Sequence, residues 1–469
     1  MALVCGATGR GVAFGDLKIA VADKARQFSL PALGGRKALV FLAIRNRPED
    51  VVALLAALTA GHAVALLGAD LAHERWHRLI DAYRPEFLVG VPPAATPDGA
   101  YDRLEGGVAP EPAVLAAVEP GAGTALPINA ELAILLSTSG STGSPKFVRL
   151  SHANLWHNAR AIAEVLGITD RDVGCAHLPL HYSYGLSVLT SHLGAGAATA
   201  ILDHAITEGA FWTKLKSFGC TSFPGVPSHF DLLRRLRVPR LDFAAVRFCT
   251  QAGGKLGNAM ISELAPQLQA KGIALFIMYG QTEASPRLTT LPAHEVLNKI
   301  GSVGPPLPGG RFDVIGPDGR PLPAGQSGEI VYSGPNVMLG YAESRAALAA
   351  GDEQGGRLPT GDIGHLDADG YLYIDGRKSR FAKVQGYRVS LDDVERIVSR
   401  HGTAIALEHE DGICLVIRGG SQERADAMAE ALRRELDIYP DAVTTRLVDA
   451  YPLLSSGKID YETLKGELS

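Results

Sequence analysis

This sequence of 469 residues has few cysteines, no excess of charge of one sign and no long unbroken apolar run. Its five cysteines are Cys5, Cys175, Cys220, Cys249 and Cys414, with no Cys-x-x-Cys pair among them. An odd, scattered set argues for reduced thiols, against a disulfide framework and against a thiolate zinc site. Lys and Arg total 45 against 50 Asp and Glu, a formal charge of −5. With no basic tail or stripe, a nucleic-acid partner is not expected. The most apolar stretch, Val51–Leu67, is interrupted by Gly61 and His62 and flanked by Glu49, Asp50 and Asp70. It reads as a helix ending at Gly61 and then a buried strand, His62–Leu67, not as a membrane span. Met1–Arg10 lacks a charged segment ahead of an apolar run, so no secretory signal and a cytoplasmic setting are expected.

What is present is the composition of a folded protein: 46% hydrophobic and 20% charged residues, which excludes a disordered chain. Gly 53 and Pro 28 predict many turns. At about 150 residues per domain the length suggests two to four domains. The first half alternates strands and helices: strand Ala38–Ile44, helix Pro48–Ala60, strand His62–Leu67, helix Ala72–Tyr83, strand Phe87–Val91 and, after an irregular connection over 92–127, strand Leu132–Ser137. That order implies a parallel sheet with helices on both faces. Leu372–Arg377 reads as a strand and turn closing this body. Beyond it come a helix from Ser390 and Asp393 to His401, strands Thr403–Leu407 and Ile413–Ile417, a helix Ser421–Leu436 and a strand Ala442–Val448. The fold class expected is α/β: a large N-terminal body of mixed or parallel sheets with flanking helices, residues 1–376, plus a small mobile α+β domain, residues 377–469.

Four segments carry chemistry. Ser137-Thr-Ser-Gly-Ser-Thr-Gly-Ser-Pro-Lys146 places Thr138, Ser139, Gly140, Ser141, Thr142, Gly143 and Lys146 after a buried strand. Glycines let backbone N–H groups approach an anion, hydroxyls add donors and the lysine adds charge, which suits phosphate. The order differs from a Walker A loop. In Tyr279-Gly280-Gln281-Thr282-Glu283 the ring can stack on a base, Thr282 can donate to a phosphate and Glu283 can hold Mg²⁺. In Thr360-Gly-Asp362, with Gly376-Arg377 downstream, a carboxylate can accept from ribose hydroxyls and an arginine can donate. In Pro452-Leu-Leu-Ser-Ser-Gly-Lys458-Ile-Asp460 a lysine sits on a glycine turn as a movable cation. Taken singly, the last three read as ordinary turns or an exposed lysine.

Together and in this order, the four segments resemble the family of AMP-forming acyl-adenylate ligases: acyl-CoA synthetases, adenylation domains of peptide synthetases and luciferases. The resemblance runs from about Ala38 to the C-terminus. Leu178-Pro-Leu-His-Tyr-Ser-Tyr-Gly185 and Thr221-Ser-Phe-Pro-Gly-Val-Pro-Ser228 look most like stand-alone acyl-activating ligases. The resemblance implies attack of a carboxylate on the α-phosphate of MgATP, release of pyrophosphate, and acyl transfer from the adenylate to a thiol. It implies that Thr138–Lys146 wraps the β- and γ-phosphates, Thr282 contacts the α-phosphate and Glu283 binds Mg²⁺. By the same resemblance Tyr279 packs on adenine and Asp362, assisted by Arg377, holds the ribose. Lys458 would bridge the carboxylate and α-phosphate, and Lys383 and Gly386 would face the thioester arm once the small domain rotates.

The sequence departs from the family pattern at Ser379, where a hinge Asp is usual, at Phe147, where Gly is common, and at Lys255, where an acid is frequent. The pocket wall implied by the resemblance is His181, Tyr182, Ser183, Gly225, Val226, Gly253, Gly254, Gly280 and Ser285. Ser183 stands where amino-acid-activating relatives carry an Asp, so a free α-amino acid is disfavoured, because a buried unpaired ammonium is costly. A fatty, hydroxy or aryl acid is expected instead. No carrier domain follows Lys458, so the acceptor is expected in trans, either CoA or the phosphopantetheine of a separate acyl carrier protein. A non-catalytic binding protein of the same fold is the rival reading, favoured by Ser379 and Phe147. A dehydrogenase is the other, suggested by Gly6-Ala-Thr-Gly9-Arg-Gly11 and by Tyr461-Glu-Thr-Leu-Lys465. Almost no strand precedes Gly6, and both are short patterns.

Overall fold

The computed structural model describes residues 1–97, 99–104, 112–118, 127–137, 146–378, 380–384, 387–409, 412–436, 438–454 and 457–467. These form two compact units. The first comprises Met1–Ile300, Pro306–Arg311 and Ser333–Leu358, and the second Gly301–Pro305, Phe312–Tyr332 and Pro359–Ser469.

The first unit is built on an eight-stranded sheet. Its centre is parallel: Leu132–Ser137 beside Ala63–Gly68, then Leu39–Ile44, then Phe87–Val89. Apart from Ser137 and Gly68 at two strand ends, these strands are apolar throughout because both sheet faces are covered. Alternate residues divide between two cores. Val40, Leu42 and Ile44 pack with Val51 and Leu54 of helix Pro48–Thr59. Leu39, Phe41 and Ala43 pack with Trp76, Ile80 and Tyr83 of helix His73–Tyr83. The sheet is mixed, not purely parallel. Antiparallel strands Phe147–Ser151 and Gly340–Ala342 extend one side, and Val114–Ala117 and Tyr101–Arg103 the other. The last two lie within the 92–127 stretch expected to be irregular. They are short and carry little alternation, and their partner strands supply the order that their own residues do not.

A second sheet of this unit has three parallel strands, Ser222–Gly225, Phe248–Gln251 and Ala274–Gly280, followed by antiparallel Arg287–Leu291. A third includes Leu3–Cys5. That strand precedes Gly6, where almost none was expected. The chain then turns back into the antiparallel strand Gly11–Val12, so Gly6–Gly11 is a hairpin and not a strand-to-helix nucleotide turn.

The second unit holds a five-stranded sheet in the order Ser302–Gly304, Leu372–Arg377, Arg357–Leu366, Gly328–Ser333, Arg311–Ile315. Arg377, where the small domain is expected to begin, is the last residue of one of these strands. Further along, strands Ala404–His409, Gly412–Arg418 and Val443–Val448 pair in one sheet. Helices Leu391–Val398 and Gln422–Leu436 cover it with Val394, Val398, Met428 and Leu432. The first helix stops at Val398, a turn before the expected end at His401. Among the described residues no helix is long and apolar enough to cross a membrane.

Candidate functional site

In the first unit, the carboxyl ends of three parallel strands converge. Open α/β sheets place ligands at such ends, where the chain leaves the sheet. Ser222–Gly225 delivers Gly225 and buried Val226. Phe248–Gln251 delivers Gly253 and Gly254, whose carbonyl accepts a 2.8 Å bond from Gln251 Nε2. Ala274–Gly280 delivers Tyr279 and Gly280. A Cβ on Gly280 would lie 2.4 Å from the Pro286 carbonyl oxygen, so only glycine fits this turn.

The turn after Gly280 holds Thr282 and Glu283 in a short 3-10 segment, Thr282–Ala284. Asn336 ties the hairpin down: its amide donates to the carbonyls of Ala284 at 2.7 Å and Arg287 at 2.9 Å. Ser285 donates to the Asn336 carbonyl at 2.8 Å. Thr282 Oγ1 lies 3.2 Å from the hydroxyl of Ser183, the first residue of helix Ser183–Gly194. Gln281 donates to the Tyr279 hydroxyl at 3.1 Å.

The Glu283 carboxylate accepts a 2.8 Å hydrogen bond from Tyr341. The Lys146 ammonium sits 3.6 Å from the centroid of the same Tyr341 ring and 4.0 Å from a Glu343 oxygen. Strands Phe147–Ser151 and Gly340–Ala342 set this register by pairing Val148 with Tyr341. A fixed carboxylate from the Thr282–Ala284 turn, a hydroxyl from strand Gly340–Ala342 and an ammonium just before strand Phe147–Ser151 thus come together. Tyr341 carries no motif, so the sequence reading missed it, and only the strand pairing brings it to Glu283. Burial, then the Glu283 charge, pushes its phenol up and keeps it a donor. Among the described residues no group of three His, Cys, Asp or Glu could hold a metal by itself. A single carboxylate still fits Mg²⁺, which commonly takes one or two carboxylates and completes its shell with phosphate and water.

His181, Tyr182 and Ser183 lead into helix Ser183–Gly194. Burial holds the His181 imidazole below its usual range, and Asp70 opposes this. Tyr184 packs with Leu178, Val226, Ala252 and Met278, and its hydroxyl donates to the Thr250 carbonyl at 2.8 Å. Its pKa is pushed up to about 12 by burial. Thr138, Ser139, Gly140, Ser141, Thr142 and Gly143 lie outside the described residues. Phe147, unusual for the family pattern, is a core residue whose ring meets Tyr83 edge-on at 5.1 Å.

In the second unit, Asp362 and Arg377 are directly cross-strand. Arg377 Nε donates to Asp362 at 3.1 Å, and the acid is buried while the arginine is mostly exposed. The Asp362 amide is held by Thr360 Oγ1 at 3.1 Å. Lys458 follows Gly457, which adopts φ 76°, and its carbonyl accepts from Leu454 N at 2.8 Å. Lys383 lies on strand Phe381–Val384, paired with Tyr387–Ser390. Gly386 and Ser379 lie outside the described residues.

A family model described as AMP-binding enzyme matches residues 2–342. The chain is 31% identical over 341 residues to the sulfoacetate–CoA ligase of Cupriavidus necator, covering 70% of this chain and 65% of that protein. It is 30% identical to the oxalate–CoA ligase of Arabidopsis thaliana, covering 70% and 66%. These matches thus span just under two thirds of each relative's length. Over the whole chain the fold is that of the o-succinylbenzoate CoA synthetase of Bacillus subtilis solved with its acyl-adenylate. There the TM-score is 0.75 at 24% identity, covering 99% of this chain and 95% of that one. The protein belongs to the AMP-binding enzyme family.

Proposed function

We propose that the protein activates a carboxylic acid with MgATP, releasing pyrophosphate and forming an acyl-adenylate, and then passes the acyl group to the thiol of CoA. The observation that carries this reading is the linked set Lys146, Tyr341, Glu283 and Thr282, joined by a 2.8 Å bond from Tyr341 to Glu283 and a 3.6 Å approach of Lys146 to the Tyr341 ring. Glu283 would hold Mg²⁺, with Lys146, Thr282 and the loop Thr138–Gly143 on the phosphates. Charge stabilisation and positioning are the main demands of attack at a phosphate. Tyr279, Gly280 and Gln281 would cradle adenine, and Asp362 with Arg377 the ribose. His181, Tyr182, Ser183, Gly225, Val226, Gly253, Gly254 and Ser285 would line the acid's pocket. Residues 377–469 would act as the mobile domain, with Lys458 serving adenylation and Lys383 and Gly386 serving thiol transfer.

CoA is favoured over a carrier protein because the relatives are named CoA ligases. A cytoplasmic setting belongs to the same reading. The test is ATP–pyrophosphate exchange over a panel of fatty, hydroxy, aryl, dicarboxylic and amino acids. Exchange with one acid class is expected, with a loss of at least about 100-fold in Lys458→Ala, since one preorganised electrostatic contact is commonly worth that much. Tight ATP binding without exchange for any acid would return the chain to the non-catalytic reading.

A further inference from the structure

Arg380 stands just before strand Phe381–Val384, and several elements of the second unit meet at its side chain. The guanidinium donates to Asp392, to Glu395 at 2.6 Å and to the Ala406 carbonyl at 3.1 Å. Asp392 and Glu395 lie one turn apart on helix Leu391–Val398, and each is held in turn. Asp392 accepts from the Arg377 amide at 2.8 Å, and Glu395 accepts from the Ala406 amide at 2.9 Å. On another side the guanidinium carbon lies over the ring of Tyr461, 5.2 Å from the centroid. A planar cation can give its edge to carboxylates and its face to a ring at the same time. Two carboxylates fix this cation, so the ring rests against a support that does not drift.

Tyr461 begins the short helix Tyr461–Gly466 and follows directly on the hairpin that carries Lys458. Three contacts close the arms of that hairpin. Leu454 N donates to the Lys458 carbonyl at 2.8 Å, Leu453 pairs antiparallel with Ile459, and Asp460 N donates to the Pro452 carbonyl at 2.9 Å. Asp460 also caps the helix, accepting from the Glu462 and Thr463 amides at 3.1 Å. It therefore joins hairpin to helix, with no residue between it and Tyr461. Ile459 and Leu464 seat the segment on the sheet below through Ile405, Leu407, Cys414 and Val416. Such apolar contacts resist lifting but are non-directional. The contact of Arg380 with the Tyr461 ring adds a direction.

We propose that Arg380 is a positioning residue for Lys458: through the ring of Tyr461 it fixes the hairpin that presents the ammonium for adenylation. This rests on the adenylation reading, which gives Lys458 its role. A lysine is a point charge on a flexible four-carbon stem, and a cation lowers a barrier only when it is preorganised. Holding the backbone on which the stem stands is therefore part of the catalytic demand. The ring contact is made outside strand Phe381–Val384, which carries Lys383, the residue assigned to thiol transfer. Its loss therefore slows adenylation and spares the second step.

Tyr461→Ala removes the ring, Tyr461→Phe keeps it, and Arg380→Lys keeps the charge without the planar face. Amide hydrogen exchange on the full chain reads the hairpin without any substrate. In Tyr461→Ala and Arg380→Lys the Leu454 and Asp460 amides should exchange about tenfold faster, the order of one cation–π contact, with strands Ala404–His409 and Gly412–Arg418 unchanged. Pyrophosphate exchange with the acid found in the panel should fall about tenfold in kcat, with KM for ATP unchanged. Transfer to CoA from that acid's preformed adenylate should stay within about twofold. Tyr461→Phe should match the wild type in each readout. Unchanged hairpin amides, faster hydrogen exchange across the whole sheet, an equal loss in both half-reactions, or a Tyr461→Phe variant as impaired as Tyr461→Ala each overturns the inference. Pyrophosphate exchange in the wild type, with hairpin amides unchanged in the variants, leaves adenylation standing and removes the role of Arg380. Faster hairpin amides in the variants, with no acid supporting pyrophosphate exchange in the wild type, keep the anchor and remove adenylation together with the purpose assigned to the anchor.

Discussion

Glu283 depends for its orientation on Tyr341, a residue reached only across the sheet. Tyr341→Phe keeps the ring under Lys146 and removes the 2.8 Å bond to the carboxylate. The expected outcome is an adenylation rate about tenfold lower and a higher Mg²⁺ requirement, consistent with loss of one bond to a charged group. Exchange rates at graded Mg²⁺ test this, and an unchanged Mg²⁺ curve would sink the role given to Tyr341. A second residue-scale expectation concerns acid stability. Burial lowers His229 from 6.5 to about 4 in the folded protein. Between these values the unfolded chain binds the proton and the folded one does not. The stability linked to neutral His229 is therefore full above pH 6.5 and is lost as pH falls towards 4. The loss amounts to about 3 kcal/mol at most. His229→Phe should flatten this part of the Tm–pH curve, and an equally steep acid limb in the variant would refute the assignment.

At the scale of elements, the Gly280 turn and the helix His152–Leu166 make contrasting demands. Gly280 tolerates no side chain, because a Cβ would meet the Pro286 carbonyl oxygen at 2.4 Å. Gly280→Ala should displace the hairpin bearing Thr282 and Glu283, costing about 1–3 kcal/mol, the range for overpacking. Exchange activity should fall further than stability does. Denaturant midpoints and exchange rates on one preparation separate the two effects, and wild-type activity in the variant would exclude the steric account. The helix is started by a capping box in which Ser151 and Asn154 satisfy each other's backbone N–H groups at 3.0 and 2.9 Å. Ser151→Ala should cost about 1 kcal/mol. It should leave activity nearly unchanged, since Ser151 touches none of the candidate site.

At the scale of the molecule, two compact units with separate cores predict unfolding that is not all-or-none. Scanning calorimetry should give a measured enthalpy larger than the van't Hoff value, and equality of the two would show that the units melt as one. Each unit carries part of the proposed machinery: Lys146, Thr282 and Glu283 in the first, Asp362, Arg377, Lys383 and Lys458 in the second.

Period and punctuation alone determined the central strands and helices. Leu132–Ser137 and Leu372–Arg377 are strands with the bounds their residues imply, and Pro48 starts a helix as its fixed φ and missing N–H predict. The segments around Thr282, Asp362 and Lys458 stood out only together, through their resemblance to a family pattern, and the roles proposed for them rest on that resemblance. Strands Tyr101–Arg103 and Val114–Ala117 were not legible, since their order comes from neighbours distant in sequence. Only the tertiary structure decided that Tyr341 serves Glu283 and that, among the described residues, Arg287 alone of the three buried arginines lacks a carboxylate. An arginine in a strand reads the same whether an acid meets it or not. Its partner is chosen by packing across the sheet, and that choice leaves no local trace in the chain.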